Sequence, residues 1–155
     1  STISVNIETA KVNNKYEVFV QTGRERANLD LFKWIEKVQK IGVGEIIVTD
    51  IFSEGKNKGY NINLFKKIRE NLDCQLVAHG GAGPKENILE IFQECNVDAI
   101  SIASLFHYHY VKQDKNKELK GSNSYLHFLD EKEKKGMSIL ELKKYLKSSG
   151  VKIRL

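Results

Sequence analysis

Apolar positions along this chain switch repeatedly between a short extended pattern and a helical one. "ISVNIE" alternates like a strand, and "KYEVFVQT" is a second extended run across the polar turn Val12–Asn14. Asn28 is placed to cap a helix whose apolar residues Leu31, Trp34, Ile35, Val38 and Ile41 follow helical spacing, with Gly42 and Gly44 ending it. "EIIVTD" predicts a short buried strand, followed by the polar loop "IFSEGKNKGY" and a helix with Leu64, Phe65 and Ile68 inward. "CQLVAHG" is the next strand. Pro84, tolerated in a first helical turn, opens a helix carrying Ile88, Ile91, Phe92 and Cys95, and "DAISIAS" is the strand after it. Near the end, Ser138 and Glu141 form the sequence pattern of a capping box, starting a helix through Leu142, Tyr145 and Leu146 that stops at Gly150. Trp34 and Phe92, at helical apolar positions, are expected in the core.

Strands separated by single helices predict an α/β fold with a parallel sheet covered by helices. An internal repeat narrows this. "GVGEIIVTDIF" matches "NVDAISIASLF", pairing Val43 with Val97, Ile46 with Ile100, Val48 with Ile102, Asp50 with Ser104 and Phe52 with Phe106, an offset of 54 residues. That offset is two βα units, the period of a (βα)₈ TIM barrel built by duplication. Four βα units are legible, whereas a whole barrel needs at least ~200 residues. The chain, residues 1–155, is therefore expected to be half of such a barrel. The polar, Lys-rich stretch at about 111–136 reads as an insertion before the last helix. An isolated half would leave sheet edges and an apolar barrel interior uncovered, so it is expected either to pair with a missing half or to self-associate.

Charge and cysteine content alter this picture little. Lys and Arg number 25 against 20 Asp and Glu, a net charge of +5 spread along the chain. The excess suits anionic small molecules, and without an aromatic-basic motif no nucleic-acid partner is expected. Cys74 and Cys95 lie in apolar periodic segments, as reduced core thiols of a cytoplasmic protein would. No apolar stretch is long enough for a membrane span, and no membrane partner is expected.

In a parallel α/β barrel, chemistry sits at the C-terminal strand ends. Four places qualify by position: Glu8; Asp50 with its loop to Tyr60; the turn His79–Gly83; and Ser104 with Leu105. The glycines of "HGGAG" suit either a bare tight turn or a cradle of N–H groups for an anion. Small residues on the neighbouring unit, Ala103 and Ser104, favour the cradle. Glu8 is a candidate general base or a solvated carboxylate, and Asp50 a candidate loop cap. Glu45, at the opposite strand end, suggests a structural salt bridge. His79, His107 and His109 cluster near one rim without a metal-ligand motif, so no metal is expected.

Several motifs, in order, resemble the cyclase subunit of imidazole glycerol phosphate synthase, the HisF family. They are "YEVFVQTGRERANLDLFKWIEKVQKIGVGEIIVTDI", "EGKNKGYNINL", "HGGAGPKENILEIF", "DAISIASLFHY" and "LKKYLKSSGVKIRL". The similarity covers the chain apart from about residues 111–136, and corresponds to the second half of that barrel. The resemblance implies a phosphorylated substrate, no cofactor, and a HisH-like glutaminase partner whose ammonia crosses the barrel to the rim. It places phosphate at the "HGGAG" turn (Gly80, Gly81) with Ala103 and Ser104, substrate-loop residues at Glu54 and Gly55, a pocket residue at Thr49, and an ammonia-entrance residue at Glu45. The family's second-half catalytic aspartate falls at Glu8. "FSEGK" stands where the family has "DRDGT", and His79 stands where it has a small residue. With "NKGY" and "HYHY", these departures resemble paralogues of surface-polysaccharide biosynthesis that form acetamidino sugars. A non-catalytic ammonia conduit that docks a glutaminase is the reading from another class.

Overall fold

A computed structural model describes residues 2–113 and 136–154, so most of the insertion expected at about 111–136 lies outside the described residues. The chain divides into two compact units, Ser1–Ser101 and Ile102–Leu155.

The first unit is built on a six-stranded sheet. Strand β1 (Ser4–Val12) pairs antiparallel with β2 (Lys15–Val20), which pairs antiparallel with β3 (Glu25–Asp30). On its other side β1 runs parallel to β4 (Glu45–Asp50), β4 to β5 (Gln75–His79), and β5 to β6 (Ala99–Ser101). The order is β3-β2-β1-β4-β5-β6. Helices α1 (Leu31–Lys40), α2 (Ile62–Arg69) and α3 (Lys85–Cys95) connect the parallel strands, so the α/β alternation predicted from sequence is the one observed. A run of parallel strands joined by helices is the arrangement of a (βα)₈-barrel fragment.

The two-strand excess comes from the first connection. Asn13 and Asn14 both take positive φ, 47° and 64°, as a two-residue hairpin turn requires, so β1 folds back onto β2. Three further left-handed residues, Gln21, Thr22 and Gly23, turn β2 into β3. Sequence reading expected Asn28 as a helix cap. It lies inside β3 with φ 54°, beside the register shift between Glu17 and Phe19, and the cap is Asp30, whose Oδ1 accepts from the Phe32 and Lys33 N–H groups at 3.0 and 3.1 Å. Strand β3 has only Ala27 and Leu29 as apolar alternate residues, too short a signal to announce it. Pairing with β2 forms it, aided by Arg26 bonded to both Glu17 carboxylate oxygens.

Elsewhere boundaries shift by small amounts. Pro84 caps α3 rather than opening it, and Asn96 ends that helix in the left-handed conformation. The "DAISIAS" strand is short, only Ala99–Ser101.

Along β1, β4 and β5 alternate residues on one face are buried. Ile7, Ile46, Val48, Leu76 and Ala78 are closed from solvent together with Leu31 and Ile35 of α1, Leu64, Phe65 and Ile68 of α2, and Ile88 and Ile91 of α3. This is the core between sheet and helices. Trp34 and Phe92 are only half-buried, and Trp34 carries the Lys37 ammonium 5.4 Å from its ring. Cys95 is buried and Cys74 half-buried; both thiols are free, and burial pushes both above the ordinary thiol range.

In the second unit α4 spans Ser104–Gln113 and α5 Ile139–Ser148. His107 and His109 therefore lie on a helix, not on a rim loop. The predicted capping box is present: Ser138 Oγ accepts from the Glu141 N–H at 3.2 Å, and Glu141 Oε2 accepts from the Ser138 N–H at 2.9 Å. Among the described residues no helix is long and apolar enough to cross a membrane.

Candidate active site

The strand register decides which side chains share a face. Residues opposite one another on parallel strands point the same way. On the face opposite the helices this produces three rows. Ser4, Glu45 and Gln75 form the first, and Asn6, Ile47, Val77 and Ala99 the second. Glu8, Thr49, His79 and Ser101 form the third, at the C-terminal end of the parallel pairing. Only the middle row is mainly apolar. The apolar barrel interior expected from sequence is therefore corrected: Ile47 and Val77 form an apolar middle row on this face, but the rows at either end are polar.

Glu8 is not at a strand end. Strand β1 continues four residues past it into the hairpin, although its parallel pairing with β4 stops one residue later, at Thr9 and Asp50. Glu8 Oε2 accepts from the Gly23 N–H at 2.8 Å, which orients the carboxylate from the β2–β3 turn. A hydrogen-bonded chain links the second and third rows. The buried Thr49 hydroxyl donates to Asn6 Oδ1 at 3.1 Å, and Thr49 Oγ1 lies 3.2 Å from His79 Nδ1. Sequence reading singled out Thr49 and His79 separately and missed Asn6 and Gly23. The alternation Ser4, Asn6, Glu8 along β1 was the available signal for Asn6; nothing local marked Gly23.

Asp50 does cap a loop. It is buried, its Oδ1 accepting from the Phe52 N–H at 3.2 Å and its Oδ2 from Ser53 Oγ at 2.8 Å and Asn61 Nδ2 at 3.0 Å. The loop so closed carries Glu54 and Gly55, both exposed. A cavity of about 300 Å³ adjoins it, with Lys11, Lys56 and Lys58 in its wall.

The same loop answers why the following turn is rich in glycine. A Cβ on Gly80 would stand 2.6 Å from the Asp50 carbonyl oxygen, and one on Gly81 would stand 2.5 Å from the Gly59 oxygen. Both glycines have positive φ, 88° and 102°, and the Gly59 N–H donates to the Gly81 carbonyl at 2.8 Å. Close approach of two backbones accounts for these glycines. The turn and the Glu54–Gly55 loop are thus one interlocked structure at the C-terminal end of β4 and β5.

Glu45 sits at the other end, in the first row. Its Oε1 accepts from Ser4 Oγ at 2.6 Å, a hydrogen bond where sequence suggested a salt bridge. Near that end Asp98 Oδ2 accepts from the Leu76 N–H and from Arg69. In the second unit, Ala103 precedes α4 and its carbonyl accepts the His107 N–H at 3.0 Å; Ser104 is the first residue of that helix. The 54-residue repeat therefore diverges where chemistry is expected: Asp50 leads into a long loop, and Ser104 directly into a helix. Among the described residues no group of three or more His, Cys, Asp or Glu is gathered as metal ligands would be.

Comparison with known proteins completes this description. Residues 1–112 match the family described as histidine biosynthesis protein. Over 153 residues the chain is 32% identical to the imidazole glycerol phosphate synthase subunit HisF of Dehalococcoides mccartyi, covering 99% of this chain and 50% of that protein. The subunit HisF of Bacillus cereus is 37% identical over 107 residues, 68% of this chain and 42% of that protein. That of Lactococcus lactis subsp. cremoris is 32% identical over 116 residues, 75% and 45%. The chain spans about half the length of the curated relatives it matches.

Proposed function

The chain belongs to the histidine biosynthesis protein family, and from that premise we propose that it is the second half of a cyclase-type barrel. That barrel takes ammonia from a glutaminase and adds it to a phosphorylated acceptor. The observation that carries this reading is the row Glu8, Thr49 and His79, which puts a carboxylate, a hydroxyl and an imidazole on neighbouring strands at the C-terminal end of their parallel pairing, the end where such folds do their chemistry. Glu8 is the acid–base group of this half, oriented by Gly23. The assignment of phosphate to Gly80, Gly81, Ala103 and Ser104, and of ammonia entry to Glu45, rests on the HisF resemblance. A cytoplasmic location follows from the same reading.

The test is turnover of the whole protein with ammonium salt and the phosphoribulosyl-formimino acceptor of imidazole glycerol phosphate synthase, followed by imidazole product. Glu8→Gln keeps an oxygen for the Gly23 N–H but cannot ionise, and should lose most of the turnover. Near-normal turnover in that variant counts against the acid–base role. Ser104→Asp should weaken binding of the phosphorylated acceptor by like-charge repulsion, read by calorimetry. His79, an imidazole in place of the family's small residue, favours a second reading in which the acceptor is a sugar that gains an acetamidino group. Activity confined to a sugar-amidination assay would select it, and none in either assay would leave the ammonia conduit.

A further inference from the structure

We propose that His79 is a second catalytic residue on this face, taking up through Nε2 the proton that the incoming nitrogen nucleophile must lose; the step rests on the ammonia-transfer reading above. Thr49 has one hydroxyl hydrogen, and it is donated to Asn6 Oδ1 at 3.1 Å. With the Thr49 hydrogen on Asn6, we assign the 3.2 Å contact between Thr49 Oγ1 and His79 Nδ1 as a donation from Nδ1–H to the hydroxyl oxygen. A neutral imidazole with its proton on Nδ1 carries its lone pair on Nε2. Asn6, Thr49 and His79 thus form a relay that sets the tautomer, and Thr49 and Asn6 are positioning residues.

Register gives the partner. Thr49 pairs with Glu8 on one side and with His79 on the other, so Glu8 and His79 stand two strands apart. At ordinary strand spacing their Cα atoms are about 10 Å apart, which leaves room for a small acceptor between the side chains. Glu8 is the ionisable group sharing that row, and β6 contributes the non-ionisable Ser101. As ammonia adds to the acceptor carbon, a C–N bond forms and the nitrogen becomes ammonium-like. One of its protons passes to His79 Nε2, forming an imidazolium whose Nδ1–H remains on Thr49. Glu8, as the acid, protonates the oxygen or nitrogen of the C=O or C=N bond whose π pair the ammonia displaces, leaving a neutral tetrahedral adduct.

Two measurements on the full protein test this. Nitrogen-15 NMR of the histidine side chains should show neutral His79 with its proton on Nδ1; Thr49→Val should release that preference and Thr49→Ser should keep it. A neutral His79 with its proton on Nε2 overturns the proposal. In turnover with ammonium salt, His79→Asn retains a donor to Thr49 but no base, and should lower kcat about 10²- to 10⁴-fold with KM little changed. His79→Ala should regain part of that loss on addition of free imidazole. Retained turnover in His79→Asn overturns the histidine step alone. Absence of turnover in the unaltered protein overturns the ammonia reading and this step with it.

Discussion

Asn61 donates from Nδ2 to Asp50 Oδ2 at 3.0 Å, and its own Oδ1 accepts from the Leu64 N–H at 3.2 Å as the cap of α2. One side chain therefore closes the β4–α2 loop and starts the helix after it. Asn61→Ala removes both bonds and leaves part of the buried Asp50 carboxylate unpaired. It should cost about 2 kcal/mol, the sum of a lost cap and a lost hydrogen bond. Asn61→Asp keeps the cap but sets a second carboxylate against Asp50, and should be less stable than Asn61→Ala at neutral pH. Denaturant titration of the three proteins checks the order.

Gly80 and Gly42 share a φ of 88° but not their surroundings. Nothing lies within 4 Å of a Cβ added at Gly42, whereas one at Gly80 meets the Asp50 carbonyl. Gly42→Ala should cost about 1–2 kcal/mol, the ordinary penalty of the left-handed region. Gly80→Ala should cost clearly more and should loosen the Glu54–Gly55 loop. Comparable melting temperatures for the two variants would contradict the interlocked backbones.

Tyr60 is 93% buried, and its hydroxyl has no hydrogen-bond partner among the described residues. Burial alone pushes its phenol well above the ordinary range. Removing the hydroxyl takes away an unsatisfied polar group and leaves the edge-on contact with Phe65 in place, 6.2 Å between ring centroids. Tyr60→Phe should be neutral or stabilising, by up to about 1–3 kcal/mol. A clear loss of stability on thermal unfolding would reveal a partner for that hydroxyl.

The Glu141 carboxyl is held below its ordinary value, first by the hydrogen bond from the Ser138 side chain and then by the Ser138 backbone. A carboxyl whose folded value is depressed stabilises above its unfolded value, and that contribution is lost as pH falls through the folded one. Helix α5 should therefore weaken in acid, below the ordinary glutamate range. Ser138→Ala should bring the Glu141 titration back up towards that range, measured by NMR. An unshifted titration in Ser138→Ala would remove the capping box as the cause.

Much of this protein is legible in its sequence. The periods of two and of 3.6 residues separate Ile46 and Val48 from Leu64, Phe65 and Ile68, and all five are buried as that separation requires. Ser138 and Glu141 act across three residues, so their box could be read locally. The family membership was carried by ordered motifs and needed no geometry.

What sequence did not determine depends on pairing between distant segments. Strand β3 exists because β2 presents an edge to it; its own alternation is limited to Ala27 and Leu29. The need for glycine at position 80 is set by the Asp50 carbonyl, thirty residues earlier in the chain. Above all, the row Glu8, Thr49 and His79 is a product of register. Slipping one strand by a single residue would turn its side chain to the opposite face, and the buried alternation of Ile7, Val48 and Ala78 forbids that slip. Local propensity chose the elements, and burial of one sheet face chose which polar residues meet on the other.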